Sequence, residues 1–278
     1  MPYSAEISRD NPTCILFVVD QSYSMSDKMS TGRSKADFVA DALNKTIYTL
    51  ITNCTKADGV RDYFEVGVVG YGDAIRPGLR GSLEADAVSA ISKIGDHPLR
   101  VEDRTQLVDD GAGGVIDRSV KFPVWFEPVA NGGTPMTGAL KRCAEILVEW
   151  CDSHPNSYPP TVLHVTDGES TDGDPSQVAQ LIQQISTNDG PALLFNVHIS
   201  TAMGEGTQFP SSDSVLSDQY AVKLFSMSSE LPLHVADIAK DKGYQLNSNA
   251  RGFMFNADPK DIVNFFEIGT RPRLTVDR

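Results

Sequence analysis

The chain is poor in the groups that most often carry soft-metal or nucleophilic chemistry. Its four cysteines, Cys14, Cys54, Cys143 and Cys151, include no Cys-x-x-Cys pair, the spacing that a zinc or redox site of that kind uses. The five histidines, His97, His154, His164, His198 and His234, form no close cluster along the sequence. There is no Gly-x-Ser-x-Gly elbow and no Gly-x-x-x-x-Gly-Lys phosphate loop. No Gly-x-Gly-x-x-Gly follows the first strand, as dinucleotide binding would want. No stretch reaches the roughly 18 consecutive apolar residues of a membrane-spanning helix. Positive charge is also short. Lys and Arg number 24 against 37 Asp and Glu, a formal net charge of −13. That balance argues against non-specific binding to nucleic acid or to anionic membranes, and favours cations or basic partners. Met1 to Asn11 is short and polar, without the apolar core of an export signal. Cys14 and Cys143 are expected in the core as free thiols, which fits a reducing compartment. An intracellular, cytoplasmic protein is the expectation.

What is present is organised around Cys14-Ile15-Leu16-Phe17-Val18-Val19-Asp20-Gln21-Ser22-Tyr23-Ser24-Met25. A β-branched and aromatic run stops at a carboxylate, and two hydroxyls follow at alternating positions. This reads as a buried strand with Asp20 at its carboxyl end. Ligand sites of open α/β sheets lie outside that end. One carboxylate and two hydroxyls converging there make a hard-oxygen site suited to Mg²⁺. Taken alone, the same three residues could simply cap a turn.

Strands then alternate with amphipathic helices. Ser34 reads as the N-cap of a long helix with Ala36, Val39, Leu43, Ile47 and Leu50 at helical spacing, ending near Thr52 to Lys56. Tyr63 to Asp73 is a second strand, whose glycines suggest close packing under another element. Arg76 to Ser82 has the character of a short edge strand, and Leu83 to Ile94 that of a short helix. An insert at about 95–130 holds two strand-like segments, Arg100 to Val108 and Val115 to Phe126, around Gly111-Ala112-Gly113-Gly114. Trp125 and Phe126 are expected to anchor it by packing, or else to stand exposed beside the binding site. Thr134-Pro135 reads as N-cap and first residue of a helix. Thr161 to Asp167 is another strand ending in a carboxylate, followed by an acidic loop to Asp174, with Asp174-Pro175 starting a helix. Ala192 to Ile199 is a buried strand. An irregular stretch runs from about 200 to 231. A helix at His234 to Lys242, a strand at Gly252 to Phe255, a helix from Asp258-Pro259 and a tail at Arg271 to Arg278 complete the chain. The pattern predicts one α/β domain over 1–278, with a doubly wound, mostly parallel central sheet and helices on both faces.

Asp20, Ser22 and Ser24, then Thr134, then Asp167 therefore fall on three loops that meet at one rim if their strands are neighbours. The order and surroundings of these five residues resemble the metal-ion-dependent adhesion site of von Willebrand factor A domains. Asp-x-Ser-x-Ser alone is weak; the ordered set with Gly-Gly-Thr-Pro and Thr-Asp-Gly is specific. The resemblance covers about residues 13–269 and is greatest to intracellular bacterial members, some of which sit in stress-response or signalling systems. It implies a largely parallel sheet with one antiparallel edge strand. It also implies Mg²⁺ (with Mn²⁺ or Ca²⁺ as alternatives) at Asp20, Ser22, Ser24, Thr134 and Asp167, and a protein partner whose Asp or Glu carboxylate completes the coordination. No catalytic residue is implied, and neither nucleic acid nor membrane is an expected partner.

Two other classes compete. A strand-end Asp with Mg²⁺ resembles haloacid-dehalogenase phosphatases, but these carry Asp-x-Asp and position 22 is Ser. A scaffold that ignores metal and binds through the 95–130 insert is the third reading. The acidic loop at 167–174 lacks EF-hand spacing. His164 alternates into a buried strand and is expected to be a satisfied core histidine.

Overall fold

Strand β1 (Thr13–Asp20) is buried along its whole length. Because side chains alternate across a strand, Ile15, Phe17 and Val19 enter one core cluster and Leu16 and Val18 the other. β1 is therefore covered on both faces, and its continuous apolar run follows from that. The computed structural model describes residues 2–29, 31–109, 115–200, 206–216 and 218–270. Gly111 to Gly114, the tail from Arg271 and parts of the 200–231 stretch lie outside them.

The other strands of the main sheet and the insert are β2 (Phe64–Tyr71), β3 (Ile75–Pro77), β4 (Arg100–Asp109), β5 (Val115–Val124), β6 (Thr161–Thr166), β7 (Leu193–Ile199), β8 (Thr207–Gln208) and β9 (Phe253–Ala257), and Thr55–Lys56 with Gly59–Val60 and Ser186–Thr187 with Gly190–Pro191 form two short ribbons. The main sheet runs β8-β9-β7-β6-β1-β2-β3, and Ser89–Ala90 adds a short pairing to β2. The five inner strands are parallel. β3 and β8, at opposite ends, are antiparallel to their neighbours. Antiparallel strands thus close both edges, where the resemblance implied one.

Helix α1 (Lys35–Cys54) opens on a capping box in which the Ser34 hydroxyl and Asp37 serve each other's backbone amides, two unpaired donors satisfied at once. It covers one face of the sheet together with α7 (Pro259–Gly269), whose Phe266 meets Phe17 edge-on at 5.2 Å. α3 (Met136–Ser153), α4 (Ser176–Ile182) and α5 (Gln219–Ser226) bury their apolar faces in the other cluster. α6 (Leu233–Asp241) joins the α1 and α7 side through Val235 and Ala239. The α/β architecture, with a mostly parallel sheet and helices on both faces, is as the alternation predicts.

Three local expectations change, and one open alternative is resolved. With Leu83 ending a separate 3-10 turn, the α-helix expected over Leu83 to Ile94 is confined to Ile91–Asp96, α2. The residues before it lie across β2, where the carbonyl of Ala87 approaches so closely that a Cβ on Gly67 would sit 2.4 Å from it. The irregular 200–231 stretch contains α5, whose N-cap Asp218 accepts from the Ala221 amide. Thr134 is not the cap of α3, which begins at Met136. Asp172 supplies that cap from a distant loop, accepting from the amides of Thr137 (2.9 Å) and Gly138 (2.8 Å). Finally, Trp125 and Phe126 are each 2% exposed, so they anchor the β4–β5 hairpin and do not stand open at a site.

Candidate metal-binding rim

β1 and β6 are parallel neighbours, with Val19 opposite Val165. From β1 the chain crosses to β2 on one side and later returns to β6 on the other, so their carboxyl ends form the switch point where open sheets bind ligands. The structure brings Asp20, Ser22, Ser24 and Asp167 together there as one hydrogen-bonded chain. Asp20 Oδ1 accepts from the Ser22 amide and Oδ2 from the Thr166 hydroxyl, both at 2.8 Å. The Ser22 and Ser24 hydroxyls are 3.1 Å apart, and Ser24 Oγ donates to Asp167 Oδ1 at 2.7 Å.

Thr134 arrives from the third loop. Gly132 holds φ +82° and packs where a Cβ would strike the Asp73 amide at 2.4 Å, so the turn needs glycine. Thr134 is then laced to the acidic loop, its amide donating to Thr171 Oγ1 at 3.0 Å and its carbonyl accepting from the Thr171 amide at 2.9 Å. A Cβ built on Gly168 would lie 3.9 Å from the Thr134 hydroxyl. That hydroxyl takes no hydrogen bond from another described residue, and no bond ties it directly to either carboxylate.

Burial is the main influence on the site's charges. It pushes the Asp20 carboxyl up to about 6, against the lowering effect of its hydrogen bonds from Ser22 and Thr166, with the neighbouring Asp167 charge adding to the rise. Among the described residues, Asp20 has no cationic partner. Asp167 does: Lys35 Nζ lies 2.8 Å from its Oδ2.

Sequence reasoning missed several residues of this rim. Lys35 is one, although a lysine in the first turn of a helix opposes the helix dipole and could have drawn notice. Thr166 lies in the Thr-Asp-Gly motif, but nothing in the sequence assigns it a role of its own beyond the strand. Tyr220, on the unpredicted α5, donates to the Gly168 carbonyl. His198 pairs with Thr166 across β7 and β6. Its Nδ1 is buried without a partner among the described residues, and burial pushes the ring down to about 4. No signal in the sequence marked either.

The donor set fits a hard divalent cation. It offers two carboxylates and three hydroxyl oxygens, one carboxylate lacks a counter-charge, and one hydroxyl is uncommitted. It does not suit a soft metal, because none of its five donor residues is a Cys or a His. His164 plays no part in it. It is fully buried and satisfied by Tyr71 Oη at 2.7 Å and Asn196 Oδ1 at 2.8 Å, the core histidine that its position suggested.

No family model matches the chain, and no curated protein matches it. Solved structures are similar at a distance. A von Willebrand factor type A protein from Catenulispora acidiphila is 15% identical, with a TM-score of 0.46, over 93% of this chain and 42% of that one. The pilus adhesin SpaC from Lactobacillus rhamnosus GG is 12% identical, with a TM-score of 0.47, over 92% and 30%. The manganese-loaded TRAP protein of Plasmodium vivax is 14% identical, with a TM-score of 0.45, over 95% and 75%. This chain spans less than half the length of the first two. Likenesses this distant decide nothing about function here; the rim's own geometry has to.

Proposed function

We propose that this chain is a divalent-cation-dependent protein-binding module of the von Willebrand factor A type. Asp20, Ser22, Ser24, Thr134 and Asp167 would hold Mg²⁺, or Mn²⁺ or Ca²⁺. The observation that carries this reading is the continuous chain from Asp20 through Ser22 and Ser24 to Asp167 at the carboxyl ends of two adjacent parallel strands. Such an ion supplies a Lewis-acidic position that an Asp or Glu carboxylate of a protein partner can take. The chain's own residues do the rest. Asp20 contributes uncompensated charge. The serines and Thr134 contribute neutral oxygens, and the Thr166 hydroxyl and Ser22 amide fix the Asp20 carboxylate in orientation. Ser22 stands where a phosphatase of the Asp-x-Asp type carries its second acid, which supports binding over hydrolysis. We place the module in the cytoplasm, in a bacterial signalling or stress-response setting. Four free, buried cysteines support a reducing compartment.

A second reading rests on the hairpin, where Val101 and Ile116 are each 53% exposed. A pull-down from native lysate, with Mg²⁺ and again with excess EDTA, separates the two. A partner retained only with Mg²⁺ by the wild type, and lost by Asp20→Ala, is the expected result. A partner retained equally under all three conditions moves the binding surface to the hairpin.

A further inference from the structure

Lys35 occupies an unusual position for a lysine. It begins α1, where a cation opposes the helix dipole, and its side chain is only 6% exposed. Its ammonium has three acceptors within reach: Asp167 Oδ2 at 2.8 Å, Asp27 Oδ2 at 3.3 Å and the Ser24 carbonyl at 3.4 Å. The Asp167 side chain is fully buried. Its other oxygen takes the Ser24 hydroxyl, so both of its oxygens are engaged by the chain itself. The two carboxylates of the rim are therefore unequal. Asp20 is held by neutral donors only, whereas Asp167 is held by a neutral donor and a full positive charge.

We propose that Lys35 is a built-in counter-charge that sets the balance between holding the cation and accepting the partner's carboxylate. This rests on the proposed metal-binding function. Asp27 is 57% exposed and its charge is screened by solvent. With Lys35 in place, the three buried charged groups Asp20, Asp167 and Lys35 therefore present a net charge of −1 to a dication, leaving one positive charge for an acidic ligand. Without Lys35 they present −2. The ion is then held more tightly and has no net charge left to attract a carboxylate. The effect acts over a few ångströms in a buried setting, where one unit of charge changes affinity by an order of magnitude or more. Lys35 is thus a specificity-determining residue for acidic partners.

The test uses Mn²⁺ and acetate on the full chain, because both constants come from water-proton relaxation by the bound ion. Wild type, Lys35→Gln, Lys35→Met and Lys35→Arg are compared, each with a thermal melt in Mn²⁺ to confirm folding. Gln retains a donor toward Asp167 if Met fails to fold. The expected result is that Lys35→Gln binds Mn²⁺ at least about tenfold more tightly and acetate several-fold more weakly, with Lys35→Arg restoring both. Unchanged Mn²⁺ affinity overturns the proposal. So does tighter Mn²⁺ with unchanged or tighter acetate, which would make Lys35 merely a competitor of the ion. Absence of Mn²⁺ binding by the wild type defeats the metal-binding function itself, and the inference with it.

Discussion

Two Lys–Asp pairs of nearly equal length sit in opposite surroundings. Lys35 and Asp167 meet at 2.8 Å at the rim, with side chains 6% and 0% exposed. Lys121 and Asp103 meet at 2.7 Å across the β4–β5 hairpin, with side chains 72% and 64% exposed. The hairpin pair is bathed in a high-dielectric, screening medium and costs side-chain freedom to form, so it contributes little. The rim pair stands where desolvation is costly, and neither partner tolerates the loss of the other. Distance is nearly the same in both; burial decides what the contact means. The hairpin uses the Lys121–Asp103 pair as solvated surface, whereas the rim uses the same chemistry to hold a carboxylate in place.

The comparison can be broken by removing each lysine. In metal-free buffer, Lys35→Met should cost about 3–5 kcal/mol of stability by urea unfolding, because Asp167 is left buried and unpaired. A small loss would show that the rim pair is as weak as the surface one. The hairpin's attachment should matter more than its charges. Asn44 accepts from the amides of Trp125 (2.8 Å) and Phe126 (3.0 Å) and donates to the Phe126 carbonyl (2.8 Å), all buried. Asn44→Ala should cost about 2–3 kcal/mol in the same assay.

A smaller, pH-dependent effect comes from His164. Burial pushes its ring down to about 4 from an ordinary 6.5, so the unfolded chain binds the extra proton. Its contribution is fully present above pH 6.5 and is lost as pH falls from 6.5 toward 4. Asp20, raised to about 6, has the opposite sign in metal-free protein and gains stability as pH falls through 6. Comparing wild type with His164→Gln cancels the Asp20 contribution. The stability difference between them should shrink by about 1–2 kcal/mol between pH 7 and pH 5. A pH-independent difference would mean that the ring protonates freely in place. Smallest of all, Lys121→Met should leave the unfolding midpoint unmoved within error.

Much of this was legible from local pattern. Apolar runs ending in Asp20 and Asp167, the Ser34 cap of α1, the helical spacing of α3 and the Asp258-Pro259 start of α7 are short-range signals, and the elements stand where these place them. The failures are long-range. The cap of α3 is Asp172, more than thirty residues away, so Thr134-Pro135 looked like a helix start. Residues 83–90 carried helical spacing but lie over Gly67 instead. α5 is eight residues long within a serine-rich stretch, too short to show its periodicity. At the rim, the motif residues could be picked out in order, but Lys35, Thr166, His198 and Tyr220 gain their roles only when β1, β6, β7 and α5 are brought side by side.

The most direct test of the proposed function is anomalous scattering from crystals grown with Mn²⁺. A single strong peak bounded by Asp20, Ser22, Ser24, Thr134 and Asp167, absent in Asp20→Ala crystals, is the expected result. A peak elsewhere, or none at saturating Mn²⁺, would contradict a metal-dependent binding module.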